Sequence, residues 1–189
     1  MLWNYRRTAC DDPAPPPARQ FQTGASLRVR NSQTDVALLE LDRRPDLSWQ
    51  VSWAGWDRSD DPPGRVLTVH HPDAAPQSLA RASGATRSRH FSYDDDPAGD
   101  HLRVDSWTQG TTEGGSSGAP LFDAEGRVRG WLRGGHAACD NHLPDWYGRL
   151  ADVWDDPRGA GYRLRDWLDP TGTEMIAVDA LASASGSTD

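Results

Sequence analysis

Apolar positions along this chain recur mostly in short runs of period two, broken by turn residues, and only once with helical spacing. Residues 26–30 (Ser-Leu-Arg-Val-Arg) alternate polar and apolar, the signature of a strand with one wet face. Residues 35–41 begin with an acid and continue as Val-Ala-Leu-Leu-Glu-Leu, which reads as a buried strand. Further strands are predicted at 2–5, 47–56, 66–71, 77–82, 86–91, 101–107, 121–122, 127–132 and 146–151, with a hairpin turn at 123–126. Only residues 162–168 place apolar side chains (Leu164, Trp167, Leu168) at i, i+3 and i+4, predicting a short helix that Asp169-Pro170 stops. The segments between are polar or proline-rich: 11–18 reads as an extended surface loop, 57–64 as a turn and 93–100 as an acidic loop. The small polar tail after Leu181 is expected to be disordered. No internal repeat is visible, and the fold class this implies is all-β with a short C-terminal helix.

Composition sharpens that picture. The chain has 189 residues, 14 Pro and 18 Gly, which suits many turns in one large or two small domains. Acidic residues outnumber basic ones by 28 to 20, a net charge of −8 that argues against a nucleic-acid partner. Every basic residue is Arg; a GC-rich coding sequence is the simplest source of that bias, and escape from a lysine-cutting protease the sharper one. No run approaches the roughly 20 apolar residues that span a bilayer, so no membrane partner is expected, and the first residues lack a signal-peptide core. Two cysteines, Cys10 and Cys139, are too few to define a disulfide framework or a zinc site. They could form one bridge, stay free, or await partners elsewhere.

Candidate chemistry centres on residues 111–120, Thr-Thr-Glu-Gly-Gly-Ser-Ser-Gly-Ala-Pro. Ser117 stands among small residues, and Gly115 permits backbone conformations that a Cβ forbids. The N–H groups of Gly115 and Ser117 can therefore form an oxyanion hole beside a serine nucleophile. Taken alone, the same composition also describes a flexible Gly/Ser loop. Asp35, at the mouth of an apolar strand where burial is expected to hold it in a rigid geometry, suits the carboxylate that orients a catalytic base, and equally a strand-entry turn. The base itself is not evident. His70, His71, His90, His101, His136 and His142 are scattered, and the order Asp35, His71, Ser117 would need the alternating strands and long helices of a subtilisin-type fold, which are missing. No HExxH or paired His/Asp spacing supports a metal-dependent hydrolase, and no cofactor or metal is indicated.

Seven motifs follow one another in order: Trp3-Asn-Tyr-Arg-Arg-Thr-Ala-Cys10, Thr34-Asp-Val-Ala-Leu-Leu-Glu-Leu41, Trp53-Ala-Gly-Trp-Asp-Arg58, His70-His-Pro72, Thr112-Glu-Gly-Gly-Ser-Ser-Gly-Ala-Pro120, Trp146-Tyr-Gly-Arg149 and Asp166-Trp-Leu-Asp-Pro170. Together they resemble the bacterial lysyl endopeptidases, secreted serine proteases of the chymotrypsin-like double β-barrel class. The resemblance runs from residue 3 to about residue 180. It implies Ser117 as nucleophile, Asp35 as triad acid, and the Gly115 and Ser117 N–H groups as oxyanion hole. It implies a catalytic histidine upstream of the Trp-Asn-Tyr segment, so most of the first barrel is expected to be missing and the chain to be inactive as written. It also implies cysteine partners near a mature N-terminus, so Cys10 and Cys139 are expected not to be bonded to each other.

The same resemblance divides the chain into a first-barrel remnant at 1–46, a second barrel plus helix at 47–170 and a tail at 171–189. It makes Asp145 the acid that pairs with a substrate lysine. Arg133 and Tyr93 depart from the family pattern beside that pocket, where it has a histidine and a tryptophan, and Arg133 could pair with Asp145 and block it. A polypeptide substrate, an extracellular location and a monomeric complete protein follow from the family. The alternative is a non-catalytic remnant that acts as a binding module through an unpaired sheet edge.

Overall fold

The computed structural model describes residues 1–9, 20–89 and 99–182. The described residues are mostly sheet with two short α-helices, in keeping with the all-β class. The strands are β1 (Ala25–Asn31), β2 (Val36–Leu41), β3 (Gly55–Asp57), β4 (Val66–His70), β5 (Ser78–Ala82), β6 (Thr86–Ser88), β7 (His101–Val104), β8 (Pro120–Phe122), β9 (Arg127–Gly135), β10 (Asp145–Arg149) and β11 (Ala177–Val178). The helices are α1 (Leu150–Trp154) and α2 (Arg165–Leu168).

Nine strands form one sheet in the order β5-β4-β8-β9-β10-β7-β6, with β3 added beside β9 and β11 beside β3. Its two end strands, β5 and β6, are consecutive in the chain and joined by Ser83, Gly84 and Ala85. So short a link forces the sheet to bend back on itself. Arg81 bridges to Gln109 near that seam, but β5 and β6 do not pair, and the described sheet stays open. Inside the bend lie Val66, Leu102, Leu121, Leu132 and Tyr147. Each such side chain contributes about 1.5–3 kcal/mol by leaving water. Period two also decides which residues of β4 enter this interior: Val66, Thr68 and His70 are buried while Leu67 and Val69 are only partly so.

The hairpin β1–β2 is a separate two-stranded sheet, antiparallel with a bulge between Leu27 and Val29. It is fastened to the larger sheet by Val29, which joins a second apolar cluster with Trp56, Leu150, Val153, Trp154 and Leu164. Two polar ties add to this: Arg30 N–H donates to Gly161 O (2.9 Å), and the buried Asn31 Nδ2 donates to Asp156 Oδ2 (2.9 Å).

Several elements depart from the sequence pattern. The aromatic run 47–56 is not one strand: Asp46 caps a 3-10 turn over Leu47–Trp49 by accepting from Ser48 N–H (2.8 Å), and only β3 is extended. The cap offers the backbone a local hydrogen bond that competes with a ladder. Residues 2–5 form no strand beyond a single bridge between Leu2 and Phe21. The strand predicted to run to 151 ends at Arg149, where α1 begins and buries Leu150, Val153 and Trp154 against the hairpin's cluster. Within the expected tail, Ala177 and Val178 pair with Asp57 and Trp56. The acidic loop is described only at residues 99 and 100, and the tail beyond 182 lies outside the described residues.

Candidate active site

Asp35 lies in the turn between β1 and β2 with a left-handed backbone (φ 58°), a conformation aspartate tolerates better than most side chains. The turn is pinned from the larger sheet. Trp131 Nε1 donates to Thr34 O (2.8 Å) and Arg133 Nη1 to Gln33 O (2.8 Å). Gly148 permits this approach, since a Cβ there would stand 2.2 Å from Thr34 O. Asp35 itself is exposed, against the buried setting expected for it, and has no hydrogen-bond partner among the described residues. A polar side chain keeps its solvation at a turn tip unless neighbouring strands cover it. Asp35 and Gly118, the residue after Ser117, line one cleft of about 470 Å³, whose wall includes Val36, Leu38, Pro120 and Trp131.

The loop that carries Ser117 leads into β8. Gly115 and Gly118 take positive φ (89° and 85°), which lets the chain fold tightly around Ser116 and Ser117. Gly118 N–H donates to Leu132 O (2.7 Å) and Leu132 N–H to Ala119 O (2.8 Å), so β9 holds the loop's exit. Ser117 is exposed, and its hydroxyl has no partner among the described residues. Neither its N–H nor that of Gly115 is engaged there, leaving two free donors beside an exposed hydroxyl. That is the chemical equipment of an oxyanion site.

Asp145 is fully enclosed at the start of β10. Its Oδ2 accepts from Trp107 Nε1 (2.7 Å) and from Thr112 Oγ1 (2.5 Å). Burial pushes its carboxyl above the usual carboxylate range, against the pull of the Thr112, Trp107 and Ala137 donors and of His136. Thr112 thereby ties Asp145 to the loop that carries Ser117, a link the sequence did not single out. Among the described residues Asp145 has no guanidinium partner. Arg133 instead reaches Gln33 O and His101 Nε2 (3.2 Å), so the blocking pair between Arg133 and Asp145 does not form. Because an arginine only donates, His101 Nε2 accepts and its Nδ1–H faces Asp100 Oδ1 (2.6 Å). Tyr93 lies outside the described residues.

The sequence raised His70 only as one of six scattered histidines and did not single out Ser116. His70 Nδ1 lies 2.8 Å from Ser116 Oγ, with both side chains buried. The available signal was the strict alternation of β4, which turns His70 inward. None of the described histidines is hydrogen-bonded to Ser117. No three His, Cys, Asp or Glu side chains gather as metal ligands among the described residues. Cys139 is a free, exposed thiol, hence not bonded to Cys10, whose own position lies outside the described residues.

A lysyl endopeptidase of Pseudomonas aeruginosa is 31% identical over 150 residues, covering 73% of this chain. The chain spans only 30% of that protein's length. Among solved structures, the active form of the Rv3671c protease of M. tuberculosis aligns with TM-score 0.48 at 19% identity over 74% of this chain and 60% of that one. An inactive mutant form of Rv3671c aligns with TM-score 0.46 at 18% identity, over 72% and 64%. The family model described as lysyl endopeptidase, C-terminal domain, matches residues 1–148, and the chain belongs to that family.

Proposed function

We propose that this chain is the nucleophile-bearing part of a serine endopeptidase that cleaves after a basic residue, lysine first, outside the cell. Ser117 Oγ attacks the scissile carbonyl carbon and gives its proton to a histidine base. The Gly115 and Ser117 N–H groups receive the oxyanion, the protonated amine leaves, and water hydrolyses the acyl-enzyme. Asp35 orients the base, Asp145 receives the substrate's cation, and Arg133 and Tyr93 shape the approach. The observation that carries this reading is the pair of unengaged N–H groups flanking an exposed Ser117 on a loop held firmly at its exit. A buried carboxylate such as Asp145 favours a cationic side chain because leaving it unpaired costs several kcal/mol.

No described histidine reaches Ser117, so the chain by itself is expected to show no useful proteolysis and no stoichiometric labelling of Ser117 by a fluorophosphonate. The test of function is a fusion of the N-terminal part of the Pseudomonas lysyl endopeptidase ahead of Met1, assayed on lysyl and arginyl esters. Hydrolysis that Ser117→Ala abolishes, and that Asp145→Asn weakens most for lysyl substrates, supports the proposal. Activity that survives Ser117→Ala, or a folded fusion without activity, overturns it. A second reading, a non-catalytic binding module, is favoured by the β1–β2 hairpin, whose edges pair with no further strand among the described residues, and by exposed Leu27 and Leu39 on it.

A further inference from the structure

The nucleophile loop is not held only where it enters β8. Its middle rests on the segment that follows β4. Asp73 N–H donates to Gly114 O (2.8 Å), and a Cβ on Gly115 would stand 3.1 Å from Asp73 N. Asp73 and Ala74 both take left-handed conformations (φ 47° and 56°), which brings that amide round to the loop. Three residues before Asp73, the His70 imidazole meets Ser116 Oγ at 2.8 Å. Ser116 Oγ also accepts the Glu113 N–H (3.2 Å), and Ser116 N–H donates to Glu113 O (3.0 Å). Ser116 therefore closes the turn on itself and joins it to β4 through one hydroxyl.

Hydrogen counting gives the direction of that bond. With its oxygen already accepting from Glu113, the Ser116 hydroxyl still has a hydrogen to donate. If Nδ1 accepts it, the only orphan is the Nε2–H, and His70 Nε2 is indeed buried without a partner. If Nδ1 donates instead, both the hydroxyl hydrogen and the Nε2 lone pair are stranded. The first arrangement leaves fewer buried polar groups unpaired. An imidazolium would force the second pattern and bury a charge as well. Burial, and then His71, accordingly hold the His70 pKa below its ordinary value.

We propose that His70 is a positioning residue: by accepting from Ser116 Oγ it fixes the turn that presents the Gly115 and Ser117 N–H groups, with the Asp73 amide as a second fastening. The proposal rests on Ser117 being the nucleophile. It assigns His70 no contact with substrate. The titratable and charged groups on the elements around His70 include His71 beside it, Tyr5 against the His71 ring, Asp73 in the following turn, Arg81 on β5, Glu113 in the loop with Cys139 hydrogen-bonded to it, and Tyr147, which lies against Thr68 on the same inward face of β4.

The test reads the loop itself, on the chain as it stands. Backbone 15N relaxation is expected to give order parameters of about 0.85 at Gly115 and Ser117 in the native chain. His70→Ala and Ser116→Ala should each lower them below about 0.6. His70→Asn, whose side-chain amide can reach the Nδ1 position, should restore them. In the native chain the Gly115–Ser117 amide shifts should titrate with the midpoint of the His70 ring. That titration should vanish in His70→Asn and persist in His71→Asn and Glu113→Gln. If His70→Ala does not fold, Ser116→Ala alone decides. Unchanged order parameters in Ser116→Ala overturn the proposal, and so does failure of His70→Asn to restore them in a folded chain. An inactive fusion with these loop responses intact would reject the protease reading and keep the clamp. An active fusion with a loop indifferent to His70 would do the reverse.

Discussion

The β1–β2 hairpin and the β8–β9–β10 ladder are built from similar alternating apolar sequence, yet they meet opposite fates. Leu121 on β8 is 0% exposed, whereas Leu27 and Leu39, which face each other across the hairpin, are 55% and 51% exposed. The ladder has paired strands on both edges and an interior to fill, whereas among the described residues the hairpin pairs with no other strand and only its Val29 side joins a buried cluster. A pattern that predicts a strand says which residues share a face. It does not say whether anything covers that face. The same contrast divides the candidate site. Asp145 and Thr112, inside the bent sheet, are locked together, while Asp35, on the hairpin's turn, faces water unpaired.

The largest expected effect tests this contrast directly. Leu121→Ala removes a fully enclosed side chain and should cost about 2–5 kcal/mol of unfolding free energy. Leu39→Ala should cost about 0.5 kcal/mol or less, as is usual for an exposed position. Urea unfolding of both variants measures it. Equal losses would show that the hairpin face is covered in solution, and the comparison would fail.

Acid and base titration should sharpen it next, through His70 and Asp145, two shifted groups of the larger sheet. His70 has a lowered folded pKa, so its contribution to stability is full above the unfolded histidine value of about 6.5. That contribution is lost as pH falls through the folded value. Asp145 has a raised folded pKa, so the sign reverses. Its contribution is full below the unfolded carboxylate value of about 3.9 and is lost as pH rises through the folded value. Stability measured by urea at half-unit pH steps should therefore fall below pH about 6.5 in the native chain. The fall should flatten in His70→Asn, whereas Asp145→Asn should leave that limb intact. A fall that persists in His70→Asn would place the titrating group elsewhere.

How much of this was legible in the sequence follows the same line. The all-β class, the turn at Asp123 and the Ser117 loop could be read because they depend on local spacing and turn chemistry. Asp123 Oδ1, for instance, accepts from both Glu125 and Arg127 N–H within five residues. Asp145 could be placed only through resemblance, since its burial comes from Trp107 and Thr112, more than thirty residues away. Ser116 was hidden by its neighbour: two adjacent serines point to opposite environments, one buried and one exposed, and only the fold says which. Helix α1 was missed because its five residues are too few to show a period, and packing against Val29 and Trp56 forms it. Asp35 was placed in the right turn but given burial that only further strands could provide.

The smallest expected effect asks what holds the hairpin to the body. Arg28 pairs with Glu40 across the hairpin (2.5 Å), both side chains being well exposed, and its guanidinium also lies 4.9 Å from the Trp167 ring on α2. An exposed ion pair contributes about 0.2–1 kcal/mol and is screened by salt. Glu40→Gln should therefore cost no more than a few tenths of a kcal/mol, and the difference should vanish near 1 M salt. Arg28→Ala should cost more, about 0.5–1 kcal/mol beyond Glu40→Gln, and should keep most of that cost in salt, because it also loses the contact with Trp167. Urea unfolding of the two variants at low and high salt separates these contributions. If both lose the same amount and salt erases both, the ion pair is the fastening. If only the Arg28 variant keeps its loss, the hairpin is held to α2 by packing over an aromatic ring, as Val29 holds it to α1.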